Sequence, residues 1–457
     1  MENTPIQEIE RVVAAQTSYF AQGETLALSF RLDSLKKLKK ALLQYEKQIA
    51  EALWVDLHKS YEEAYMTEIS IVLEEINNHL RHLRRWAKPR HVLSPLKMFP
   101  SRSKVVTQPL GRALIIAPWN YPVQLLLNPL VGAISAGCTA LLKPSPYVPH
   151  VSKVLEMMIQ DTFEDEYVAL VQGNRVVNEA LLQVRHDVIF FTGSPDLGRK
   201  VMQAAAKHVT PVVLELGGKS PCIVDSDADL DRAARRIAWG KSLNAGQTCI
   251  APDYLLVHAA VKKEFLHKLS KEFVKLLGEQ PKESHYYVRI VNQKSFERLL
   301  GYLQDGDVVF GGEVDSAERF IAPTILDNVS AESAVMQEEI FGPIFPVMTF
   351  TETQEAIRFV NDREKPLALY YFGQKQVDKV LKHTLSGGCC VNDTILHIAN
   401  SKLPFGGVGQ SGMSSYHGKE SFRVFSHQRS VVTTTTRIDL PFRYMPYTFF
   451  RWIKGLL

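Results

Sequence analysis

The stretch VVLELGGKSPCIV, residues 212–224, contains two short apolar runs that are separated by GGKSP. Short apolar runs bounded by turn residues are typical of buried strands. The first run holds Glu215, and a buried carboxylate is costly unless it has a partner or a function. We therefore predict that one α/β unit ends near this residue, that a second begins after Gly217, and that Glu215 takes part in chemistry.

Apolar runs alternate with helix-like segments on both sides of this stretch, which predicts βαβ units and a parallel sheet. The first ninety residues differ, because Leu32, Leu35, Leu38 and Leu42 recur at three- and four-residue spacing and predict amphipathic helices. The fold class expected from this pattern is α/β. The predicted strands are ALIIA (113–117), TALLK (139–143), DVIFF (187–191), VVLEL (212–216), CIV (222–224) and LLVH (255–258), with helices at 233–241 and 261–277.

The composition is that of a large folded protein without the charge of a dedicated nucleic-acid binder. The 457 residues are 46% hydrophobic, and 53 Lys and Arg stand against 49 Asp and Glu, with both signs spread along the chain. No window holds the roughly 18 to 20 apolar residues of a membrane-spanning helix. The five cysteines have no metal-type spacing and follow no signal peptide. We therefore expect no metal, no nucleic acid and a cytoplasmic location.

Cys249 lies in the short polar run NAGQTCIAP (244–252), which is unlike core packing and favours a reactive thiol. A cysteine with its ordinary pKa of about 8.5 needs a base or a positive field to become a thiolate, and Glu215 is a candidate base. Asn120, in APWNYP (117–122), offers an amide that can bind an oxyanion, with a turn residue as the alternative interpretation. The other four cysteines are interpreted as small hydrophobic residues.

These motifs, together with FTGS (191–194), EEIFGP (338–343) and LPFGGVGQSGM (403–413), occur in the order typical of one enzyme family. The chain resembles the NAD(P)-dependent aldehyde dehydrogenases over nearly its whole length. Its short N-terminus, the run SYHGKESF (415–422) and the aromatic tail resemble the class 3 branch, whose members form dimers. The resemblance implies a Rossmann-type cofactor domain, a second α/β catalytic domain, a small β oligomerisation arm and a homodimer.

The resemblance also implies boundaries for these parts. It places the dinucleotide-binding domain at 1–88 and 110–214, the catalytic domain at 215–402, the oligomerisation segments at 89–109 and 403–436, and an aromatic tail at 437–457. A hairpin in the first oligomerisation segment is expected to pair with a strand near 429–436 and to build a subunit interface.

The aromatic tail has two interpretations. Packing on its own subunit or on a partner subunit is the favoured one, because the tail is short. Weak peripheral contact with a membrane is the alternative, because aromatic and basic residues alternate there. The aromatic residues concerned are Phe442, Tyr444, Tyr447, Phe449, Phe450 and Trp452.

The resemblance assigns the catalytic roles to Cys249, Glu215 and Asn120. The Cys249 thiolate is expected to attack an aldehyde carbonyl, and the Asn120 amide and the Cys249 backbone N–H are expected to stabilise the oxyanion of the thiohemiacetal. Hydride transfer to the nicotinamide then leaves a thioester. A water molecule activated by Glu215 is expected to hydrolyse the thioester and release the carboxylic acid.

Two glycine-rich runs are candidates for the cofactor phosphates. The pattern GxGxxG at Gly407, Gly409 and Gly412 has no βαβ strand before it and no helix-forming run after it, so it fails the context of a dinucleotide fingerprint. In FTGSPDLG (191–198) an apolar strand leads to a helix-like stretch, which suits a phosphate at a helix N-terminus. The residues that the resemblance places at the cofactor are Trp119, Lys143, Ser145, Gly193, Ser194, Leu216, Glu339 and Phe341.

Pro146 stands where many relatives have a glutamate that binds the adenosine ribose and repels a 2′-phosphate. We therefore expect both NAD and NADP to serve as cofactors. The substrate entry implied by the resemblance is apolar, which favours medium- or long-chain aliphatic or aromatic aldehydes over charged semialdehydes. Its expected lining residues are Tyr65, Tyr121, Trp239, Ile398 and Phe405.

Three competing functions predict different uses of the same residues. A CoA-acylating dehydrogenase of this fold would pass the acyl group to CoA, and the base at Glu215 would then have no purpose. A thiol hydrolase would leave the nucleotide-site residues without a purpose. A non-catalytic protein that kept the fold would not need Cys249, Glu215 and Asn120 together.

Overall fold

The computed structural model describes residues 2–447 and 450–455. The helices are α1 (Ile6–Gln22), α2 (Leu28–Leu57), α3 (Tyr61–Ala64), α4 (Ser70–Trp86), α5 (Gln124–Ala136), α6 (Pro149–Gln160), α7 (Arg175–Gln183), α8 (Pro195–Ala206), α9 (Leu230–Ser242), α10 (Lys262–Leu277), α11 (Gln293–Tyr302), α12 (Ala334–Gln337), α13 (Thr353–Asn361), α14 (Val377–His383), α15 (Lys419–Val424) and α16 (Phe450–Lys454). A π-helical turn, Tyr65–Ile69, joins α3 to α4.

The strands form two large sheets and two small ones. In chain order they are β1 (Arg90–Val92), β2 (Arg102–Pro109), β3 (Arg112–Ile116), β4 (Thr139–Lys143), β5 (Val168–Leu170), β6 (Val188–Gly193), β7 (Val212–Leu216), β8 (Pro221–Val224), β9 (Tyr254–His258), β10 (Asp307–Phe310), β11 (Val314–Asp315), β12 (Phe320–Ile321), β13 (Thr324–Asp327), β14 (Ile344–Phe350), β15 (Ala368–Phe372), β16 (Gly388–Val391), β17 (Gly412–Met413) and β18 (Ser426–Thr433).

The first large sheet has the strand order β17-β7-β6-β3-β4-β5. Strands β3 to β7 are parallel and almost entirely buried, as their continuous apolar runs predict. Strand β17 closes the sheet antiparallel to β7, with Gly412 opposite Glu215. Strand β7 runs through Leu216, so the domain boundary predicted after residue 214 falls two residues before the strand ends.

The second large sheet has the order β10-β13-β14-β9-β8-β15-β16 and is parallel except for β10. It begins at β8, after the glycine pair, so the expected second α/β unit is present. The predicted helices at 233–241 and 261–277 correspond to α9 and α10. The α/β fold class is therefore confirmed, and the stretch 212–224 joins the last parallel strand of one sheet to a central strand of the other.

A third, antiparallel sheet has the order β1-β2-β18. Strands β2 and β18 pair over eight residues, from Arg102 opposite Thr433 to Pro109 opposite Ser426. The C-terminal partner strand therefore lies three residues earlier than the predicted 429–436. Ser101 and Thr434 share a hydrogen bond of 2.7 Å just beyond the paired region. This sheet, residues 90–109 and 426–433, is called the arm below.

The C-terminal tail continues from the arm. In the described part of the tail, Tyr444, Tyr447 and Phe450 are exposed. Phe449 lies outside the described residues, as do the side chains of Phe442 and Trp452. Helix α16 spans only five residues, and nowhere in 2–447 or 450–455 is a helix both long and apolar enough to cross a bilayer.

The leucine pattern of α2 makes a direct prediction about stability. Leu38 is fully buried in the main core, whereas Leu43 on the same helix is 49% exposed. Leu38→Ala should lower the free energy of unfolding by about 2–5 kcal/mol through lost burial and a cavity, and Leu43→Ala should have a much smaller effect. Chemical denaturation of both variants measures the difference, and equal losses would contradict this packing of α2.

Candidate active site

The carboxyl ends of β6 and β7 open into a cleft with a volume of about 1260 Å³. Residues of both large sheets and of the loops after them line it. The three predicted catalytic residues, Asn120, Glu215 and Cys249, all lie in this lining. Each comes from a different segment: the loop before α5, the end of β7, and the loop between α9 and β9. Convergence of these three side chains on one concave surface makes the cleft the candidate active site.

Glu215 occupies the fourth position of β7 and is only 3% exposed. Its backbone register places it between Thr192 of β6 and Gly412 of β17, so main-chain pairing on both sides fixes its position. Neither carboxylate oxygen has a hydrogen-bond partner among the described residues. Burial without a partner raises the pKa of this carboxyl well above its usual range. A carboxylate with a raised pKa is a stronger base than an exposed one, which suits Glu215 to take a proton from water.

Cys249 lies half-buried in the loop between α9 and β9. Burial raises the pKa of its thiol, and the carboxyl groups of Glu339 and Glu215 raise it further. The backbone of the loop is strained at Asn244 and Ala245, whose φ values are +51° and +50°. Strain of this kind persists only where surrounding contacts hold it, so the cysteine loop is set by its neighbours rather than by its own conformational preference.

Asn120 is 3% exposed, and its side-chain amide donates a 3.0 Å hydrogen bond to the carbonyl oxygen of Gln247. That carbonyl belongs to the cysteine loop, two residues before Cys249. The Asn244 amide donates to the Asn120 carbonyl at 3.0 Å and to the Gln247 carbonyl at 2.9 Å. Asn120 therefore bridges to the loop that carries Cys249 and lines the same cleft.

A buried ion pair that the sequence reasoning missed supports the Asn120 loop. The ammonium of Lys59 donates to Glu68 at 2.9 Å and to the Asn120 carbonyl at 3.1 Å, and both side chains of the pair are fully buried. The other oxygen of Glu68 accepts the backbone N–H groups of Val123 and Gln124, each at 3.0 Å. Those N–H groups begin α5, where a negative charge is stabilising. The pair therefore fixes both ends of the segment that carries Asn120.

Glu63 reaches the cysteine loop from the same side. Its carboxylate accepts the backbone N–H of Asn244 at 2.8 Å, and burial raises its pKa to about 7. The charge pattern of the run KSYEEAYMTEI, residues 59–69, is typical of a solvated helix surface. This pattern does not show which of its carboxylates are buried and which are exposed. The π-helical turn Tyr65–Ile69 within it is a structural signal, since such turns are frequent near functional sites.

The opposite side of the cysteine loop is tied to the loop that carries Glu339. Asp253 accepts the ammonium of Lys219 at 2.5 Å and the backbone N–H of Ile340 at 2.9 Å. Lys219 also donates to the carbonyl of Glu338 at 2.9 Å. Glu339 itself has one carboxylate oxygen without a partner in the described structure, and burial raises its pKa to about 8. Glu339 lines the cleft, and a carboxylate oxygen without a partner suits a ligand hydroxyl.

Most of the predicted cofactor residues meet in the cleft. Helix α8, twelve residues long, begins there behind Ser194, which makes no side-chain capping bond and so leaves the helix N–H groups available to a phosphate. The predicted cofactor residues that line the cleft are Trp119, Gly193, Ser194, Leu216, Glu339 and Phe341.

Lys143 and Ser145 lie outside the cleft lining, at the end of β4. Lys143 is buried and donates only to the carbonyl of Pro144, at 2.7 Å, with no ion pair in the part of the chain that the structure describes. Burial lowers the pKa of its ammonium to about 8. An ammonium desolvated in this way is suited to a ligand hydroxyl or phosphate. The donor set as a whole therefore fits a dinucleotide.

The glycine run 407–412 has a different use from phosphate binding. Gly412 pairs with Glu215 across β17 and β7, and a side chain at Gly407 would collide with the backbone of Ser411 at about 2.1 Å. The glycines therefore let this loop pack closely against the strand that carries Glu215. This agrees with the sequence analysis, which set the pattern aside as a dinucleotide fingerprint.

The five predicted substrate residues lie away from the cleft lining. Tyr121 is buried, and its hydroxyl shares a 2.7 Å hydrogen bond with Thr248, the neighbour of Cys249. Trp239 and Ile398 are half-buried against the same core, and Tyr65 is 36% exposed. Phe405 is buried, with its ring in contact with two histidine rings. The structure thus brings Tyr121 next to the cysteine loop, and it packs Trp239 and Ile398 on the same core as Cys249.

Within residues 2–447 and 450–455, no group of three or more His, Cys, Asp or Glu side chains converges as metal ligands would. The five cysteines are free thiols, and Cys390 contacts the Nδ1 of His397 at 3.2 Å.

Comparisons with known proteins identify the family of the chain. The sequence model of the Aldehyde dehydrogenase family matches residues 2–431. The chain is 45% identical to the 4,4′-diaponeurosporen-aldehyde dehydrogenase of Staphylococcus aureus, covering 98% of each chain. It is 43% identical to the dimeric NADP-preferring aldehyde dehydrogenase of Canis lupus familiaris, over 96% of this chain and 98% of the relative. A solved structure described as the substrate-bound state of Staphylococcus aureus AldH superposes with a TM-score of 0.96 at 45% identity, covering 98% and 99% of the two chains.

The buried pair Lys59–Glu68 makes a testable prediction. Lys59→Met leaves the Glu68 charge buried and unpaired, so the free energy of unfolding should fall by about 3–5 kcal/mol. Lys36→Met, which removes one partner of the exposed Lys36–Asp33 pair, is the matched control and should change stability little. Denaturant unfolding compares the two variants, and similar losses would show that the Lys59–Glu68 pair does not support the fold.

Proposed function

The chain belongs to the aldehyde dehydrogenase family, and from that premise we propose that its substrates are medium- or long-chain aliphatic or aromatic aldehydes. It is an NAD(P)-dependent enzyme that oxidises aldehydes to carboxylic acids. The observation that carries the proposed mechanism is the meeting of Cys249, Glu215 and Asn120 in one cleft with six of the expected cofactor residues. When bound, NAD(P)+ accepts the hydride and brings a positive charge into that cleft.

Each step of the proposed mechanism uses one group of this chain. The Cys249 thiol gives its proton to water in the cleft, Sγ forms a bond to the aldehyde carbon, and the carbonyl oxygen takes the negative charge as its π bond to carbon breaks. The Asn120 amide exchanges its bond to Gln247 for the oxyanion, together with the Cys249 backbone N–H. Loss of hydride leaves an acyl group on Cys249. Glu215 takes a proton from a water molecule, the water oxygen attacks the thioester carbon, and the thiol departs as the acid forms.

The proposed use of both cofactors rests on Pro146. This residue follows Ser145 and has no carboxylate to repel a 2′-phosphate. The relative from Canis lupus familiaris is named NADP-preferring, which agrees with the proposal. The remaining contacts proposed for the cofactor are those of Lys143, Ser145 and the six cleft residues named above.

The proposed substrate range rests on the apolar character of the residues near the cysteine loop. Tyr121 packs beside Thr248, and Trp239 and Ile398 pack on the same core as Cys249. We propose that these residues, with Tyr65 and Phe405, line the substrate entry. The name of the relative from Staphylococcus aureus gives its substrate as 4,4′-diaponeurosporen-aldehyde. That name also supports the proposal of a large apolar substrate.

We also propose a cytoplasmic homodimer with the arm at its subunit interface. Support comes from the relative that is named dimeric and from the five free cysteines, which suit a reducing compartment. For the tail we propose weak peripheral contact with a membrane surface. The exposed Tyr444, Met445 and Tyr447 next to Arg443 support it, because aromatic and basic residues together favour the bilayer interface.

Variants of the catalytic residues separate the two halves of the reaction. Glu215→Gln keeps the shape of the side chain and removes the base, so a burst of about one reduced cofactor per active site should appear without steady turnover. Cys249→Ala should show neither burst nor turnover, while Cys389→Ala, a control thiol, should behave as the parent enzyme. Stopped-flow absorbance of the reduced cofactor measures all three, and steady oxidation by Cys249→Ala would exclude the covalent mechanism.

A substrate panel tests the proposed specificity. Hexanal, decanal and benzaldehyde should be oxidised with higher kcat/KM than propanal or succinic semialdehyde, with both NAD and NADP and without CoA. A strict requirement for CoA would identify an acylating dehydrogenase instead. No activity with NADP at millimolar concentration would refute the inference from Pro146. Ester hydrolysis without any aldehyde oxidation would favour a thiol hydrolase, and no activity of either kind would favour a non-catalytic protein.

A further inference from the structure

Glu63 is a buried carboxylate to which the proposed mechanism gives no role. It lies on α3 and is 7% exposed, and the Ser60 hydroxyl accepts its backbone N–H at 3.2 Å. Its carboxylate accepts the backbone N–H of Asn244 at 2.8 Å, which is the one hydrogen bond of this carboxylate among the described residues. The nearby Lys59 ammonium is bound to Glu68 instead. A carboxylate buried against a single N–H is costly, so we expect it to have a function.

The residue that Glu63 binds is a strained member of the cysteine loop. Asn244 has φ +51° and ψ +30°, in the left-handed region, where a residue other than glycine stays only if its neighbours hold it. Its side-chain amide donates to the Asn120 carbonyl at 3.0 Å and to the Gln247 carbonyl at 2.9 Å. The Gln247 amide in turn donates to the Arg289 carbonyl at 3.1 Å. Glu63 therefore fixes the backbone from which the Asn244 amide reaches two carbonyls.

The Gln247 carbonyl accepts two side-chain amides, from Asn120 at 3.0 Å and from Asn244 at 2.9 Å. In the proposed mechanism the Asn120 amide leaves this carbonyl for the oxyanion. A buried carbonyl left without a donor costs free energy, and that cost would raise the barrier to the reaction. Because the Asn244 amide stays on the carbonyl, Asn120 can leave without creating an unpaired group. This relief requires that Asn244 keep its left-handed backbone.

We propose that Glu63 is a positioning residue for aldehyde oxidation: its ionised carboxylate holds Asn244 in place, and Asn244 in turn frees the Asn120 amide for the oxyanion. Glu63 acts through these two residues and not on the substrate itself. The inference rests on the proposed function, because it adds a supporting residue to the mechanism given there.

The protonation of Glu63 makes this support depend on pH. Burial raises the pKa of its carboxyl to about 7, although the Lys59 ammonium and the Asn244 N–H lower it. The other titratable groups that face it are Glu68, which is paired with Lys59, and Tyr121, whose pKa burial raises well above its usual range. An ionised carboxylate accepts a hydrogen bond more strongly than a neutral carboxyl. The support for Asn244 is therefore present above about pH 7 and is lost as the pH falls through that value.

The test compares Glu63→Gln with Glu62→Gln, which changes the exposed neighbour on the same helix. Glutamine keeps an oxygen acceptor for the Asn244 N–H but cannot ionise. Stopped-flow absorbance gives the rate constant of the reduced-cofactor burst with hexanal and NAD across this pH range. The ratio of the parent rate constant to that of Glu63→Gln should be about 1 well below pH 7 and about 10 well above it. The titration of Cys249 cancels in this ratio, and the ratio for Glu62→Gln should stay at about 1.

A double-mutant cycle checks the route through Asn244. Asn244→Gly removes the side-chain amide, and glycine adopts a φ of +51° without strain. Above pH 7 this variant should lower the burst rate constant by about tenfold, and Glu63→Gln should cause no further loss in its background. A merely structural role of Glu63 would change the burst amplitude or the stability, but not the pH dependence of the rate constant.

Three results would overturn the inference. These are a parent-to-variant ratio for Glu63→Gln that does not change with pH, an equal change in Glu62→Gln, and fully additive losses from Glu63→Gln and Asn244→Gly. If Glu63→Gln does not fold, the ratio for Asn244→Gly should rise with pH in the same way, and a constant ratio would refute the inference. Failure of the proposed function gives a different result, because the parent enzyme would then show no burst with any aldehyde.

Discussion

The fully buried ion pair Lys59–Glu68 is the constraint on which the active site depends. It occupies the turn before α3 and the π-helical turn that follows, yet its bonds are to the Asn120 loop and to the start of α5. Neither charge can remain buried without the other. Because the pair must form, the N-terminal helices, the loop of the first sheet and the cysteine loop must assemble together. The strained backbone at Asn244 is then held through Glu63 and Asn120.

This network leaves several carboxylate oxygens in the cleft without a partner among the described residues. Among the described residues, both oxygens of Glu215 and one of Glu339 lack partners, and outside the cleft lining the Lys143 ammonium has only a neighbouring carbonyl. A protein that leaves several ionisable groups buried without partners in one region is less stable there than it could be. We expect ligand and water to supply the missing contacts. The site therefore has two complementary parts. One is the structural network that positions the loops, and the other is the set of unsatisfied groups that face the ligand.

The parts of the fold that follow local patterns could be predicted from the sequence. Leu35 and Leu38 on α2 are buried, and the continuous apolar runs are parallel strands. The motifs around Cys249 and Glu215 also predicted which side chains meet. The burial of Lys59, Glu63 and Glu68 could not be predicted. Charged residues at helical spacing give the same sequence pattern on a solvated helix face as on a buried one. The pairing of Gly412 with Glu215 joins residues almost two hundred positions apart and has no local pattern.

Burial and the carboxyl groups of Glu339 and Glu215 raise the pKa of the Cys249 thiol in the unliganded cleft, which disfavours the thiolate there. The most direct test is the rate of alkylation of Cys249 as a function of pH in the free enzyme, resolved by peptide mass spectrometry. The rate should keep rising above the ordinary thiol pKa of about 8.5 without reaching a plateau. A plateau reached below that pH would mean that a thiolate is already present in the resting enzyme, and would contradict the account.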